Sequence, residues 1–72
     1  MSDMKDSVEL LDVVALTRNL PDHDLQRGQA GTVVELLEPG IFEVEFSDDD
    51  GRAYALVALP AADLLVLHYE PA

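Results

Sequence analysis

The sequence predicts a small all-β domain, built as a five-stranded barrel or roll. Short runs of β-forming residues are separated by turn residues about every ten positions. One run, residues 41–46, alternates apolar side chains with Glu43 and Glu45, which is the period of two of a strand with one buried and one solvated face. A chain of 72 residues has room for only one such domain.

The first strand is predicted over residues 10–17, where Leu-Leu-Asp-Val-Val-Ala-Leu-Thr is rich in β-formers. A helical stripe is the alternative for this segment, but adjacent valines and the early arrival of Pro21 favour a strand. Residues 18–30 are then predicted to form a loop, with Leu20 and Leu25 packed beneath it. We therefore expect this loop to be ordered.

Three further strands, residues 31–37, 41–46 and 52–59, are predicted to form a meander of two hairpins. The turns between them are residues 38–40, which include Pro39 and Gly40, and residues 47–51. The third of these strands is apolar on both faces, and its alanines suit close packing in a barrel. One helical turn at residues 60–63 and a short strand at residues 64–68 complete the prediction.

The predicted domain covers residues 10–68, with tails at residues 1–9 and 69–72. The first tail is not followed by an apolar segment, so no secretory signal is expected. The longest run without charge, residues 53–62, is too short to span a bilayer. The expected core is one apolar face of the strands: Val14, Leu16, Val34, Leu36, Phe42, Val44, Phe46, Leu56 and Leu64.

Net charge limits the classes of partner. Fifteen acidic residues against four basic ones give a formal charge of −11. Nucleic acids and anionic membranes are thereby disfavoured, because binding to either requires a basic patch. A basic protein surface would instead be attracted. The absence of cysteine excludes disulfides and thiolate sites, and the expected compartment is the cytoplasm.

Two glycines, Gly28 and Gly31, precede a Thr-Val-Val strand. A phosphate-binding loop would need a Gly-Lys-Ser/Thr ending, and a dinucleotide site would need a third glycine and a helix. Neither pattern is present. We interpret the pair as glycines required for turn geometry or for close backbone approach.

No motif predicts catalysis, a cofactor or a metal site. Setting Gly51 at the sixth position of a calcium loop places Phe46 and Val57 where Asp and Glu are required. His23 and His68 are the only histidines, and their separation gives no zinc-ligand spacing. No serine lies in a recognisable nucleophile elbow. We therefore expect a protein that is not an enzyme.

Several blocks of the sequence together resemble one family. They are residues 11–16 (Leu-Asp-Val-Val-Ala-Leu), residues 20–21 (Leu-Pro), residues 27–35 (Arg-Gly-Gln-Ala-Gly-Thr-Val-Val-Glu), residues 42–46 (Phe-Glu-Val-Glu-Phe) and residues 50–52 (Asp-Gly-Arg). The chain resembles the small bacterial domain of unknown function 4926, over about residues 10–67. The resemblance implies a five-stranded SH3-like barrel or roll without established catalytic activity. It brings no functional residues with it.

Glutamates on the outer face of the sheet are the main candidate for a functional site. If the strands at residues 31–37 and 41–46 pair, Glu35 shares that face with Glu43 or Glu45, beside an acidic turn. One interpretation is a solvated face that keeps the domain soluble. The other is a docking face for a basic protein, with Tyr54 or Tyr69 as an aromatic anchor. The residues assigned to that docking site are Glu35, Glu43, Glu45, Asp48, Asp49, Asp50 and Tyr69.

The predicted function is a non-catalytic protein-binding module with an acidic surface. A specific form of it is an antitoxin-like or immunity-like neutraliser that covers the cationic groove of a nuclease-like toxin. The alternative is a structural subunit that self-associates through a sheet edge or through its apolar fourth strand. The expected state is a monomer or a small homo-oligomer without cofactors.

Overall fold

The computed structural model describes residues 8–48 and 50–67, with the backbone alone considered at residues 53 and 54. It contains the strands β1 (Val13–Leu16), β2 (Ala30–Glu38), β3 (Ile41–Ser47), β4 (Ala53–Pro60) and β5 (Leu64–Val66), and the 3₁₀ turns η1 (Pro21–His23) and η2 (Ala61–Asp63). The predicted all-β class is therefore confirmed, although the first and last strands are shorter than predicted. Within the described residues, no helix has the length and apolar character needed to cross a membrane.

All five strands pair antiparallel in a single sheet with the order β4-β3-β2-β1-β5. The two predicted hairpins, β2–β3 and β3–β4, are confirmed. The start of β2 pairs with β1 as well as with β3, and β5 returns along the other side of β1. In the described part of the chain β4 and β5 do not pair, so the sheet is not closed into a barrel, and this arrangement is compatible with the predicted roll.

One face of the sheet carries the hydrophobic core. Its buried residues come from every strand, from the loop after β1 and from Val8: Val8, Val14, Leu16, Leu20, Leu25, Val33, Phe42, Val44, Phe46, Val57, Leu59 and Leu64. Leu20 and Leu25 are buried with the core, as predicted, and their backbones form an antiparallel bridge that was not predicted. Val8 lies in the segment predicted as a tail, yet it is buried against this core.

The prediction of the core is wrong for three residues. Val34, Leu36 and Leu56 are 37%, 57% and 56% exposed. In β2, a register shift between Val33 and Glu35 adds one residue, so that Val33 takes the buried position. Leu36 lies beyond this bulge, towards the end of the sheet. In β4 both faces are apolar, so the alternation did not reveal that Val57, and not Leu56, points inward.

The interpretation of the two glycines is confirmed, with a different reason for each. Gly28 has a φ of +92°, a turn conformation that side chains rarely adopt. Gly31 lies on the buried face of β2, where a Cβ would come within 2.8 Å of Glu45 O and of Val44 Cγ1. Gly31 is therefore required for the close approach of β2 to β3.

Candidate functional site

Three glutamates share the outer face of the sheet, and we call them the acidic face: Glu35, Glu43 and Glu45. Because Phe42, Val44 and Phe46 point into the core, the alternation of β3 turns Glu43 and Glu45 outward. Across the ladder, Glu43 lies opposite Glu35 on β2. Glu45 lies one row away, opposite Thr32.

The bulge in β2 determines which glutamates of β2 and β3 lie opposite each other. Val33 pairs with Val44, and Glu35 pairs with Glu43, so Val34 is the extra residue between them. A regular ladder would instead have placed Val34 opposite Glu43. The sequence prediction that Glu35 shares a face with one of the β3 glutamates left that choice open, and the register selects Glu43 as the direct neighbour.

The acidic face is electrostatically unfavourable in the protein alone. Like charges directly opposite each other on two strands destabilise a sheet, by an amount on the order of 0.2–1 kcal/mol. Glu43 and Glu45 are half-buried, while Glu35 is exposed. Among the residues that the structure describes, none of the three glutamates forms an ion pair with a basic side chain. The repulsion between Glu35 and Glu43 is therefore not offset by a neighbouring cation of the described chain.

Asp48 has a structural role in the β3–β4 turn. Its Oδ1 accepts hydrogen bonds from the backbone N–H groups of Asp50 (2.9 Å) and Arg52 (3.0 Å). Its backbone carbonyl accepts the N–H of Gly51, at 2.9 Å. The carboxylate therefore holds the turn together, in the manner of an Asx turn. Asp50 is exposed beside it.

Two of the residues assigned to the docking site, Asp49 and Tyr69, lie outside the described residues, as does His68. Tyr54, the other aromatic candidate, belongs to β4. His23 is exposed at the end of η1. Within residues 8–48 and 50–67, no three His, Cys, Asp or Glu side chains are grouped in a way that could hold a metal ion.

One charged contact was not predicted from the sequence. Arg18 Nη2 lies 3.0 Å from Oδ2 of Asp63, whose side chain is only 12% exposed. This Oδ2 has no hydrogen-bond partner of regular geometry in the described part of the chain, so the contact with Arg18 is an ion pair. The side-chain interaction with Asp63 and the attraction of its charge raise the pKa of Arg18 above its ordinary value. The signal in the sequence is Asp63 itself, an acid between apolar residues, but it does not name a partner on another element.

Hydrogen bonds beside this ion pair also hold the loop after β1 in place. Thr17 N–H donates to Asp63 O at 3.0 Å, and Thr17 Oγ1 donates to Ala62 O at 3.3 Å. With the Arg18 ion pair, these bonds join the start of the loop to η2. The loop and β4 then enclose a groove of about 240 Å³, whose lining includes Leu20, Pro21 and residues 57–60.

Beside the acidic face, β4 presents exposed residues. Leu56 lies opposite Glu45, and Ala58 lies opposite Glu43. Thus two rows cross the outer face, Leu56–Glu45–Thr32 and Ala58–Glu43–Glu35. Since β4 is the end strand of the sheet, each row begins at an edge that no other described strand covers.

Comparison with known proteins assigns the chain to a family. The model of the family described as domain of unknown function 4926 matches residues 10–66, which confirms the resemblance predicted from the sequence. No curated protein and no solved structure matches the chain. The family description names no activity.

Proposed function

We propose, for a chain that belongs to the family of domain of unknown function 4926, that it is a non-catalytic protein-binding module whose acidic face docks a basic partner protein. The observation that carries the proposal is the direct opposition of Glu35 and Glu43 without a described counter-ion. Two like charges at directly opposite positions destabilise a sheet, so the stability of the fold does not explain this pairing. A cation supplied by a partner would turn the repulsion into attraction.

Partial burial supports the same proposal. Glu43 and Glu45 are half-buried among neighbouring side chains of the sheet. Charges near a protein surface interact more strongly than charges in bulk water, because the effective dielectric constant is lower. A Lys or Arg placed over these two carboxylates would therefore gain more than it would from freely solvated acids such as Asp50. The net charge of −11 would also speed the encounter with a basic protein.

The specific form that we propose is an antitoxin-like or immunity-like neutraliser acting in the cytoplasm. A protein whose function depends on a cationic groove would present the surface that the acidic face complements. Covering that groove requires binding but no chemistry. The absence of cysteine agrees with a reducing compartment.

A second function is favoured by the exposed apolar residues of the sheet edges. Leu56 on β4 and Leu65 on β5 are 56% and 58% exposed. Pairing of such an edge with a second copy of the chain would bury them, as in a self-associating structural subunit. Self-association would not depend on the glutamates, so charge variants distinguish the two functions.

The test is retention of a partner from a lysate of the source cells at low and at high salt. The variant Glu43→Gln/Glu45→Gln removes two charges from the acidic face. The matched control Asp24→Asn/Glu38→Gln removes two charges elsewhere, and Asn tolerates the positive φ of residue 24. We expect a basic protein to be retained at low salt by the wild type and by the control, and to be lost from the face variant.

Two results would overturn the proposal. One is a retained protein that binds the face variant and the wild type equally. The other is a chain that retains nothing and sediments as a defined oligomer insensitive to both pairs of substitutions, which would support the structural subunit. Circular dichroism of each variant verifies that the fold is intact.

A further inference from the structure

We propose that β4 receives an extended segment of the partner as a sixth, antiparallel strand, and that this segment carries Lys or Arg at alternate positions. The inference rests on the proposed function, because it states how a basic partner engages the acidic face. It identifies the partner by chemistry: a β-strand with one basic side and one apolar side. Addition of a strand to an open sheet edge is a general mode of peptide recognition.

The ladder between β3 and β4 shows which backbone groups face the open edge. Ala61 N–H donates to Gly40 O at 3.0 Å, which makes Ile41 and Pro60 a non-hydrogen-bonded pair. Because the two kinds of pair alternate, Ala58 and Leu56 occupy the same kind of position as Pro60. Their N–H and C=O groups therefore point away from β3. In the described part of the chain, neither Leu56 nor Ala58 makes a backbone hydrogen bond outside the ladder.

Pro60 agrees with this assignment. Proline lacks an N–H and is tolerated in strands where that group would face solvent. Between Ala55 and Leu59, β4 carries none of the devices that protect open edges, such as a charge, a bulge or an internal proline. The other edge strand, β5, has only three residues. The unprotected edge is thus confined to the strand beside the acidic face.

Charge complementarity identifies the occupant. A partner residue opposite Ala58 would have its backbone groups directed at Ala58 and its side chain on the outer face. Two strand spacings, about 10 Å, would separate it from Glu43. The methyl group of Ala58 leaves the space between them open, and an extended Lys or Arg side chain spans most of that distance. A partner residue opposite Leu56 has the same relation to Glu45, with its aliphatic stem over Leu56.

The intervening partner residues would face the other way. They would approach the groove between β4 and the loop after β1. Its lining combines Arg18, Asp22 and His23 with apolar residues, which are Leu20, Pro21, Val57, Ala58, Leu59 and Pro60. Apolar side chains suit the apolar part of this lining. The alternation expected of the partner strand is therefore basic and apolar, in phase with the two surfaces on either side of β4.

The experiment uses a labelled synthetic peptide of alternating lysine and valine, about as long as β4, and measures its binding to the intact chain by fluorescence anisotropy. A peptide of the same composition with its lysines and valines in separate blocks is the control for bulk charge. We expect the alternating peptide to bind more tightly than the block peptide. Its affinity should fall with salt and in Glu43→Gln/Glu45→Gln.

Backbone methylation supplies the decisive comparison. In the proposed register the lysine N–H groups face β4, whereas the valine N–H groups face solvent. Methylation of the lysine nitrogens should weaken binding by about tenfold or more, since several backbone hydrogen bonds are lost. Methylation of the valine nitrogens should leave binding nearly unchanged. On the protein, Ala58→Pro removes an edge donor and should weaken binding, while Ala58→Ser should not.

Each contrary result has a defined meaning. Equal effects of the two methylation patterns, or no binding of the alternating peptide, would overturn strand addition. If binding then still depends on Glu43 and Glu45, the acidic docking face survives without it. If the free chain dimerises and Ala58→Pro yields monomers without peptide binding in the wild type, the occupant of β4 is a second copy and the inference is wrong.

Discussion

Gly31 on β2 lies so close to the Phe46 ring on β3 that a Cβ at residue 31 would be 2.9 Å from Phe46 Cδ1. The same Cβ would be 2.8 Å from the backbone oxygen of Glu45. A carbonyl in the ladder cannot move aside without breaking the β2–β3 pairing. The hydrogen of Gly31 thus leaves room for the largest fully buried side chain of the core.

Gly31→Ala should therefore destabilise the fold by about 1–3 kcal/mol, the usual cost of overpacking a core. Urea unfolding followed by circular dichroism measures the free energy. Ala30→Ser, at an exposed neighbouring position, is the control and should change stability by no more than about 0.5 kcal/mol. Equal stability of Gly31→Ala and wild type would contradict the close packing of β2 on β3.

The corrected core makes a second prediction. Phe42 and Phe46 are 6% and 0% exposed, so Phe42→Ala and Phe46→Ala should each cost about 3–5 kcal/mol. That loss is enough to unfold a domain of this size. Thermal unfolding should show a much smaller effect for Leu56→Ala, because Leu56 is exposed. A large loss at Leu56 with mild losses at both phenylalanines would reverse the assignment of the two sheet faces.

The strands could be predicted because turn residues and the alternation in β3 are local signals. For β2 and β4 it could not be predicted which residues face the core, because apolar residues occupy both faces of these strands. In β2 the bulge at Val34 adds a second difficulty, since one extra residue exchanges the faces of all that follow. Alternation is informative only where one face is polar, as it is at Glu43 and Glu45.

The candidate site shows the same limit. The outward direction of Glu43 and Glu45 follows from β3 alone, whereas the opposition of Glu35 to Glu43 depends on the register of two strands. The role of Asp48 in the turn depends on hydrogen bonds that residue type does not specify. The ion pair of Arg18 with Asp63 joins elements far apart in the sequence. Such contacts are consequences of topology.

The ion pair leads to a third prediction. Arg18→Ala should destabilise the protein, because the poorly exposed carboxylate of Asp63 loses its counter-ion. The interaction raises the pKa of Arg18, so its contribution is present below the unfolded pKa and is lost only at extreme alkaline pH. Stability measured by urea unfolding at neutral pH is therefore the suitable readout.

Arg27→Ala is the matched control for this change, since Arg27 is exposed and forms no ion pair with a described residue. A double-mutant cycle isolates the interaction. Asp63→Asn should be less destabilising in the Arg18→Ala background than in the wild type, because the ion pair is already absent there and the substitution removes a poorly exposed charge without a counter-ion. Additive effects would mean that Arg18 and Asp63 do not interact in solution.

The opposition of Glu35 and Glu43 makes the fourth prediction. Glu43→Gln should stabilise the isolated protein by about 0.2–1 kcal/mol, because it removes a like-charge pair across the ladder. The gain should shrink at high salt, as the repulsion is screened. Glu38→Gln is the control: it removes the same charge from the same strand pair, but Glu38 lies opposite Ile41 and has no charged residue across from it.

If Glu43→Gln is more stable than Glu38→Gln at low salt, the difference measures the free energy of unfolding that the wild-type chain loses to repulsion on its acidic face. Paired with weaker binding of the basic partner in the Glu43→Gln/Glu45→Gln variant, it would show stability exchanged for recognition. If instead Glu43→Gln is no more stable than Glu38→Gln at low salt, the two carboxylates do not repel each other measurably. The acidic face would then have no like-charge repulsion that a basic partner could relieve.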